Sequence, residues 1–567
     1  MSELPALLQG GRFTLLFKLV LVGILQAATA IGSSLLAKFL FDRLLEDSRA
    51  IRPEWLAPCA GALAALALIQ GLLGFAERVV AEQMGQSYAQ AVRLALFDKL
   101  ASLNPRTLQQ RSRGGVLLRF VGDLAAVRQW VSLGLARLTI IGMTALGCLG
   151  ALALINQPLA LVVSAALIIG TLLSASRGKA MREAAREARR RVAKLAGNLG
   201  EKIGALAVVQ ANGQLRRERN RVLDQSRAIQ RLMIERAKVA GDIRALAETF
   251  AAFAYTGALT LGAWQVAEGK MTAGAIVAAL TVVSFLVPRL RECGRVQEYW
   301  HGFVVARQKM AEFMNMPSVV VESPLAQELS VIEGRLEFRN VSVAGALHDL
   351  SVSAEAGSIV AVVGPNGSGK STLLALAARL LDPDSGQVLL DGQDLARCTF
   401  ASIRKAIGVA GSDFPLLRGT VERNLRYRWA QAPSSECERV DALCGIPEVL
   451  DSLPQGLKTR VGEGGAGLSA GQRQRIALAR ALLGNPSLLL LDEVDANLDA
   501  SASVVMDRIL ATRNGTVLMV THRREHIARA DAVWLLDKGR LIEVVTPVEI
   551  LRNQGVTAKF FKPRLAG

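Results

Sequence analysis

The sequence predicts a chain in two parts: an α-helical transmembrane part of six spans, then an α/β part built around a phosphate loop. Three observations carry this. Six stretches of the first half are apolar over roughly the 20 residues that a bilayer core about 30 Å thick requires of a helix. Past Met316-Pro317 the apolar runs stop. In the second half a short apolar strand, a glycine-rich loop and a helical run follow one another in the order that phosphate binding needs.

Composition agrees with the first observation. The 567 residues are 51% hydrophobic, yet Lys and Arg outnumber Asp and Glu by 67 to 49. A net charge of +18 alone would also suit a nucleic-acid binder. Such proteins keep a polar surface, however, so the long apolar runs favour a membrane protein with basic faces and no nucleic-acid partner. Six scattered cysteines with no C-x-x-C spacing give neither a zinc site nor a disulfide framework and read as packing residues. Met1–Phe17 has no small-residue cleavage pattern, and the apolar stretch continues to about Phe41, so the start reads as a retained helix.

The six expected spans are Phe13–Phe41, Leu56–Phe75, Leu138–Ile155, Pro158–Leu173, Ala245–Val266 and Ala273–Val287. Basic residues beside a span favour the cytoplasmic side. Ser176–Arg244 holds eighteen Lys and Arg against seven Asp and Glu, whereas Phe41–Trp55 holds three against four. The large basic segments are therefore expected inside, the short turns Asn156–Gln157 and Ala267–Thr272 outside, and both termini in the cytoplasm. Glu77–Leu103 and Lys179–Arg244 are rich in Ala, Leu, Arg and Glu, so their helices are expected to run far beyond the lipid. They serve either to reach a partner domain or simply to set topology. Arg78, Arg289, Arg291 and Arg295, near the cytoplasmic ends of the second and sixth spans, either anchor the spans or greet an anionic lipid headgroup.

Residues 1–316 are thus read as the transmembrane domain, 317–333 as a linker and 334–567 as a nucleotide-binding domain. Gly334–Val343 reads as an entering strand and Ser358–Val363 as a buried one. Gly364-Pro365-Asn366-Gly367-Ser368-Gly369-Lys370-Ser371-Thr372 then completes G-x-x-x-x-G-K-[ST], ahead of the helical run Leu373–Leu381. Backbone N–H groups freed by the glycines can curl around phosphate oxygens, and the helix N-terminus adds a favourable dipole. Lys370 would reach the β- and γ-phosphates, and Ser371 would ligate Mg2+. The apolar strand Leu488–Leu491 ends in Asp492-Glu493, which suits a magnesium-binding acid followed by a water-polarising one.

Leu468-Ser469-Ala470-Gly471-Gln472, continued by Arg473-Gln474-Arg475, resembles the signature of ABC ATPases. The resemblance implies an exporter-type half-transporter with a C-terminal ABC ATPase domain. Its cofactors would be ATP and Mg2+, and its partner a second half-transporter, either an identical chain or a different one. It also implies that Ser469, Gly471 and Gln472 face the nucleotide of the other chain. Asp499 matches the D-loop aspartate, His522 the switch histidine, and Glu463 the segment that contacts the membrane half. More loosely, Ser112-Arg113-Gly114-Gly115 with Arg119, Asp123, Val127 and Arg128 looks like the family's first cytoplasmic loop, and Glu201–Gly213 like its second. The implied pair would be swapped, each second loop touching the other chain's ATPase domain, and would sit in a bacterial inner membrane in contact with membrane lipid.

The sequence departs from the family pattern twice. An aromatic residue that stacks on adenine is replaced by Ala344-Gly345-Ala346, at an expected cost of about 1 kcal/mol in binding. Ser412 stands where a glutamine normally touches magnesium, so it is a weak metal candidate that would work through water. These departures keep open a second class of function, a nucleotide-gated channel or regulatory subunit; import by the exporter fold is a further alternative. The cargo is not encoded in these motifs: a lipid, glycolipid, peptide or hydrophobic small molecule all fit.

Overall fold

The computed structural model describes residues 4–46, 56–103, 113–316, 320–495, 500–512, 515–552 and 556–557. The chain divides into two compact units, Met1–Pro317 and Ser318–Gly567.

Among the described residues the first unit is built from six helical rods: Arg12–Glu46, Leu56–Ala101, Gly115–Ile155, Gln157–Gly204, Leu215–Ala267 and Ala273–Met314. The first four are long and apolar enough to cross a membrane, by length and composition alone, and Ala273–Arg289 is a shorter apolar stretch. The fifth expected span, Ala245–Val266, lies inside Leu215–Ala267 and mixes apolar residues with Glu248, several threonines and Gln265. At 1.5 Å per residue a rod of 53 residues is about 80 Å long, well over twice the hydrocarbon thickness.

Three bonds tie one end of this bundle together. Asn156 caps Gln157–Ser176 by accepting from Leu159 N at 3.0 Å, and its amide donates to Gln265 Oε1 at 2.6 Å. Asp42 accepts from Gly274 N at 3.0 Å, at the start of the last rod. The two turns expected on one face therefore lie at the same end. Between rods small residues permit close approach, because a Cβ on Gly170 would sit 2.6 Å from Phe250 Cβ and one on Gly147 2.8 Å from Ala27 Cβ.

The third rod contains two π-helical segments, Arg119–Asp123 and Trp130–Leu135, which periodicity did not foretell. The second coincides with the packing of Trp130 against Trp300 and Phe303. Arg119, Asp123, Val127 and Arg128, expected in a loop, are helical. Val127 and Asp123 are buried, Asp123 pairs with Arg119 at 3.0 Å, and Arg128 reaches Glu82 on the second rod. These residues hold rods together. Ser112 lies outside the described residues. The expected second loop is a helix ending at Gly204, a short helix Leu206–Ala211 and a turn, and it leaves Ile203, Leu206 and Val208 exposed.

The second unit contains two main sheets. The order of the larger is β12-β11-β3-β10-β9-β6, where β3 is Ile359–Val363, β6 Ile407–Gly411, β9 Leu488–Asp492, β10 Thr516–Val520, β11 Ala532–Asp537 and β12 Arg540–Val545. All are parallel except β12. β3, β9 and β10 are buried along their whole length, which explains their continuous apolar sequences. A smaller antiparallel sheet places β1, Leu336–Val343, between β2, Leu347–Ala354, and β4, Ser385–Leu390, with β5, Gln393–Asp394, at its edge; β7, Gly419–Thr420, pairs separately with β8, Arg460–Val461.

The stretch expected as linker is laid onto this unit from residue 320 onward: Leu329 is buried and Gln327 bridges Cys398. Asp391 fixes its end. The carboxylate accepts four backbone N–H groups, from Ile332, Glu333, Gly334 and Arg335, at 2.8, 2.9, 3.0 and 2.6 Å. Burial pushes this carboxyl up, but the four N–H groups outweigh it and hold it below its ordinary value of 3.8. A depressed carboxyl contributes stability above its unfolded value and loses it as pH falls through the folded one. Asp391→Ala is therefore expected to lower the stability of the second unit by about 2–3 kcal/mol at neutral pH. The gap to the parent should close as the solution is acidified below about pH 4, and thermal melts at two pH values check both parts.

Candidate functional site

Sheet order positions the site. β3, β10 and β9 are adjacent and parallel, so their C-terminal ends open on one side, where crevices of α/β sheets bind ligands. From β3 the chain passes through Gly364–Gly369 into the helix Lys370–Ala377. That helix stops short of the expected Leu381, since Arg379 takes a left-handed conformation with φ 45° and buries its side chain.

Gly364 and Gly369 have no substitute in this turn. A Cβ on Gly364 would lie 2.0 Å from Leu536 O, and Gly369, at φ 105°, would bring one within 2.6 Å of Leu347 Cδ2. The backbone is thus pressed into a cradle that side chains would fill. Lys370 is buried, and its ammonium donates to Gly364 O at 2.8 Å and Pro365 O at 2.9 Å, across the loop it follows. Burial lowers the Lys370 pKa, and the carboxylates of Glu493 and Asp492 oppose that shift. Ser368 Oγ is buried and has no hydrogen-bond partner among the described residues. An unpaired hydroxyl and a buried ammonium satisfied only by carbonyls, within one glycine cradle, fit a phosphate chain.

Asp492 ends β9, buried, with Ser371 hydrogen-bonded to it; burial raises its pKa, and the neighbouring Glu493 and Asp413 push the same way. Among the described residues no group of three His, Cys, Asp or Glu could hold a metal by itself. Ser371 and Asp492 still suit Mg2+, which commonly takes one or two protein oxygens and completes its shell with phosphate and water. Glu493, the next residue, is a non-glycine at φ 50°, a strained backbone held by its N–H donating to Val520 O at 3.1 Å. Its half-exposed carboxylate lies 3.8 Å from His522 Nε2. Lys370, Ser371, Asp492, Glu493 and His522 are thereby gathered at the ends of three neighbouring strands.

The remaining candidates stand apart. Ser469 caps the helix Ala470–Leu482: its hydroxyl accepts from Gln472 N at 3.2 Å while Gln472 Oε1 accepts from Ser469 N at 2.7 Å. Gln472 is therefore occupied as part of a capping box and also donates to Ser452 at 2.9 Å. Gly471 is buried. Among the described residues no hydrogen bond or ion pair links this segment to the phosphate loop. Asp499 lies outside the described residues. Ser412 is exposed past the end of β6, and Ala344–Ala346 form the tight turn between β1 and β2, with Ala344 N donating to Asp384 Oδ2 at 2.6 Å. Asp413, which sequence reasoning passed over, is close enough to act on Asp492. Its signal was a carboxylate directly after the unexpected serine.

Two family matches cover most of the chain. Residues 16–290 match the family described as ABC transporter transmembrane region, and residues 347–496 match the family described as ABC transporter. The chain belongs to the ABC transporter family. This ABC transporter chain is similar to a multidrug efflux ATP-binding/permease protein of Mycobacterium tuberculosis, at 31% identity over 540 residues. That match covers 94% of the chain but 45% of the relative, so the chain spans about half the relative's length. An ATP-dependent lipid A-core flippase of Chromobacterium violaceum is 29% identical, with 88% of this chain and 86% of that one covered. Among solved structures, a bacterial Atm1-family ABC exporter with ATP bound matches with a TM-score of 0.85 and 26% identity, over 99% of this chain and 100% of that one.

Proposed function

We propose that this chain is one half of an ATP-driven exporter, working as a pair of identical chains in a bacterial inner membrane, with both termini and the ATPase unit in the cytoplasm. The observation that carries the reading is the convergence of Lys370, Ser371, Asp492, Glu493 and His522 on one phosphate loop, in a chain whose first unit holds membrane-length helices. Lys370 would bind the β- and γ-phosphates, and Ser371 and Asp492 would hold Mg2+. Bound magnesium supplies compensation for the charge that develops on the phosphoryl oxygens. Glu493 would orient and deprotonate the attacking water, with His522 beside it on the γ-phosphate side. The signature Ser469–Gln472, remote from the loop of its own chain, would close the nucleotide site of the second copy; Asp499 would lie at that junction. Nucleotide can drive closure only through its differential affinity for the closed pair.

The cargo reading rests on a cavity of about 640 Å³ in the membrane unit, lined among others by Glu77, Arg78, Arg128, Arg137, Arg289 and Glu292. Arg137 pairs with Glu292 at 3.2 Å, and Arg289 donates to Gln26 Oε1 at 2.8 Å, whose amide donates to Glu77 at 2.9 Å. Arg78 has no carboxylate partner among the described residues. Such a lining favours an amphiphile with an ionic head over a wholly apolar compound.

Exposed Ser412 and the non-aromatic turn Ala344–Ala346 favour a second reading, a subunit that binds ATP without turning it over. Hydrolysis of Mg-ATP by the purified chain in lipid nanodiscs, screened against lipids and hydrophobic compounds, separates the two. The exporter reading expects turnover by the chain alone, raised by one class of amphiphile, and a complex mass of two identical chains. ATP binding without turnover would overturn it in favour of the regulatory subunit, and a second, distinct chain in the complex would overturn the identical pair.

A further inference from the structure

Just past the site, a second polar cluster is buried where β9 and β10 end. Val520 is in register with Asp492, so Glu493 and Thr521 are the first residues beyond the paired strands. Asp495 follows Glu493 by two positions, and its side chain is only 6% exposed. Thr521, which directly precedes His522, donates its hydroxyl to Asp495 Oδ2. The same oxygen meets His526 Nδ1 at 2.6 Å, and His526 is fully buried in the helix Arg524–Ile527. Thr521 Oγ1 also accepts from Arg523 N at 3.0 Å, which binds the far side of His522 to the cluster. The other nitrogen of His526, without a hydrogen bond among the described residues, faces Asp507 at 3.9 Å, itself held by Arg529 at 2.8 Å.

Burying a carboxylate and an imidazole is costly unless both are paired. The phosphate loop does not use them, and apolar residues would pack the same space. What the cluster adds is direction: a single oxygen ties the segment carrying Glu493 to the segment carrying His522, from below. Those two segments also meet through the Glu493 N–H to Val520 O bond and the 3.8 Å approach of His522 to Glu493.

We propose that Asp495, Thr521 and His526 are positioning residues for ATP hydrolysis, a staple that fixes Glu493 against His522 so that the water-activating carboxylate and the switch histidine act from one rigid frame. The staple acts through the segments that carry Glu493 and His522. It rests on the ATP-hydrolysing reading above and adds to it a second restraint on the Glu493 segment, beside the Glu493 N–H to Val520 O bond. Catalytic groups displaced by about 1 Å lose up to a hundredfold in rate while binding persists, so the staple's signature is a loss of kcat at constant KM.

The test uses the full chain in nanodiscs. Thr521→Val removes one hydroxyl at nearly constant volume, and Thr521→Ser keeps it. The staple expects Thr521→Val to lower kcat about tenfold or more with KM for ATP unchanged within about twofold, and Thr521→Ser to restore the parent kcat. Asp495→Asn should behave as Thr521→Val, and the double variant should be no worse than Asp495→Asn alone, because the groups act as a unit. If Asp495→Asn does not fold, the valine and serine variants decide. A parent kcat in Thr521→Val, failure of Thr521→Ser to rescue, or a loss that follows only the folded fraction would overturn the staple. A parent chain that binds ATP and hydrolyses none would instead overturn the reading on which it rests.

Discussion

Glu493→Gln is expected to abolish turnover and leave nucleotide binding intact. The substitution keeps the shape of the side chain and removes its ability to take a proton. Glu493 occupies a left-handed backbone at φ 50°, one residue after Asp492, and is half-exposed at 3.8 Å from His522 Nε2. A strained, open carboxylate at a strand end has little value for stability, so its geometry is explained by chemistry. Loss of a positioned general base lowers rates by about 10²- to 10⁴-fold. Steady-state hydrolysis should therefore fall to background, while titration with a fluorescent ATP analogue gives the parent affinity. Equal loss of binding and turnover would mean that Glu493 holds the loop instead of the water.

Lys370→Ala should act on the other half of the cycle, by weakening nucleotide binding. The ammonium is buried and bridges the loop through Gly364 O and Pro365 O, so it both shapes the cradle and supplies its charge. A hydrogen bond to a charged group contributes about 1.5–3 kcal/mol, which corresponds to roughly a ten- to hundredfold weaker Kd. Lys370→Arg should not restore binding, because a planar guanidinium cannot occupy the space of a compact ammonium beneath the glycines. Direct titration of both variants with ATP checks this, and parent affinity in Lys370→Ala would contradict it.

The elements that were legible in the sequence are those whose signal is local. β3 and β9 read directly, because strands buried on both faces are continuous apolar runs, and a glycine loop between strand and helix has one well-defined use. The long rods were legible from composition. What escaped depends on contacts between distant residues. Nothing within Arg119–Trp130 announces that a loop-like motif is a helical seam, since the partners of Arg128 and Trp130, Glu82 and Trp300, come from other rods. The stretch 320–333 looked like a linker because the residue that holds it, Asp391, lies 56 positions beyond Arg335. Likewise Asp495 and His526 are unremarkable alone and meet only because β9 and β10 are neighbours in the sheet. Gln472 shows the same limit: its motif points to a nucleotide, and only the fold shows that its side chain also completes a capping box with Ser469 and donates to Ser452.

On the proposed pairing, two copies share each ATP site, one giving the phosphate loop and the other the signature. Mixing two inactive variants tests it most directly. Lys370→Ala lacks the first element and Ser469→Arg the second, and each purified alone should hydrolyse no ATP. Co-expressed with distinct tags and isolated as the mixed pair, they place an intact loop opposite an intact signature at one of two sites. Hydrolysis is expected to return in the mixed pair and to disappear when Glu493→Gln is added to the Ser469→Arg chain. A mixed pair as inactive as its parents, or a parent variant active alone, would contradict it.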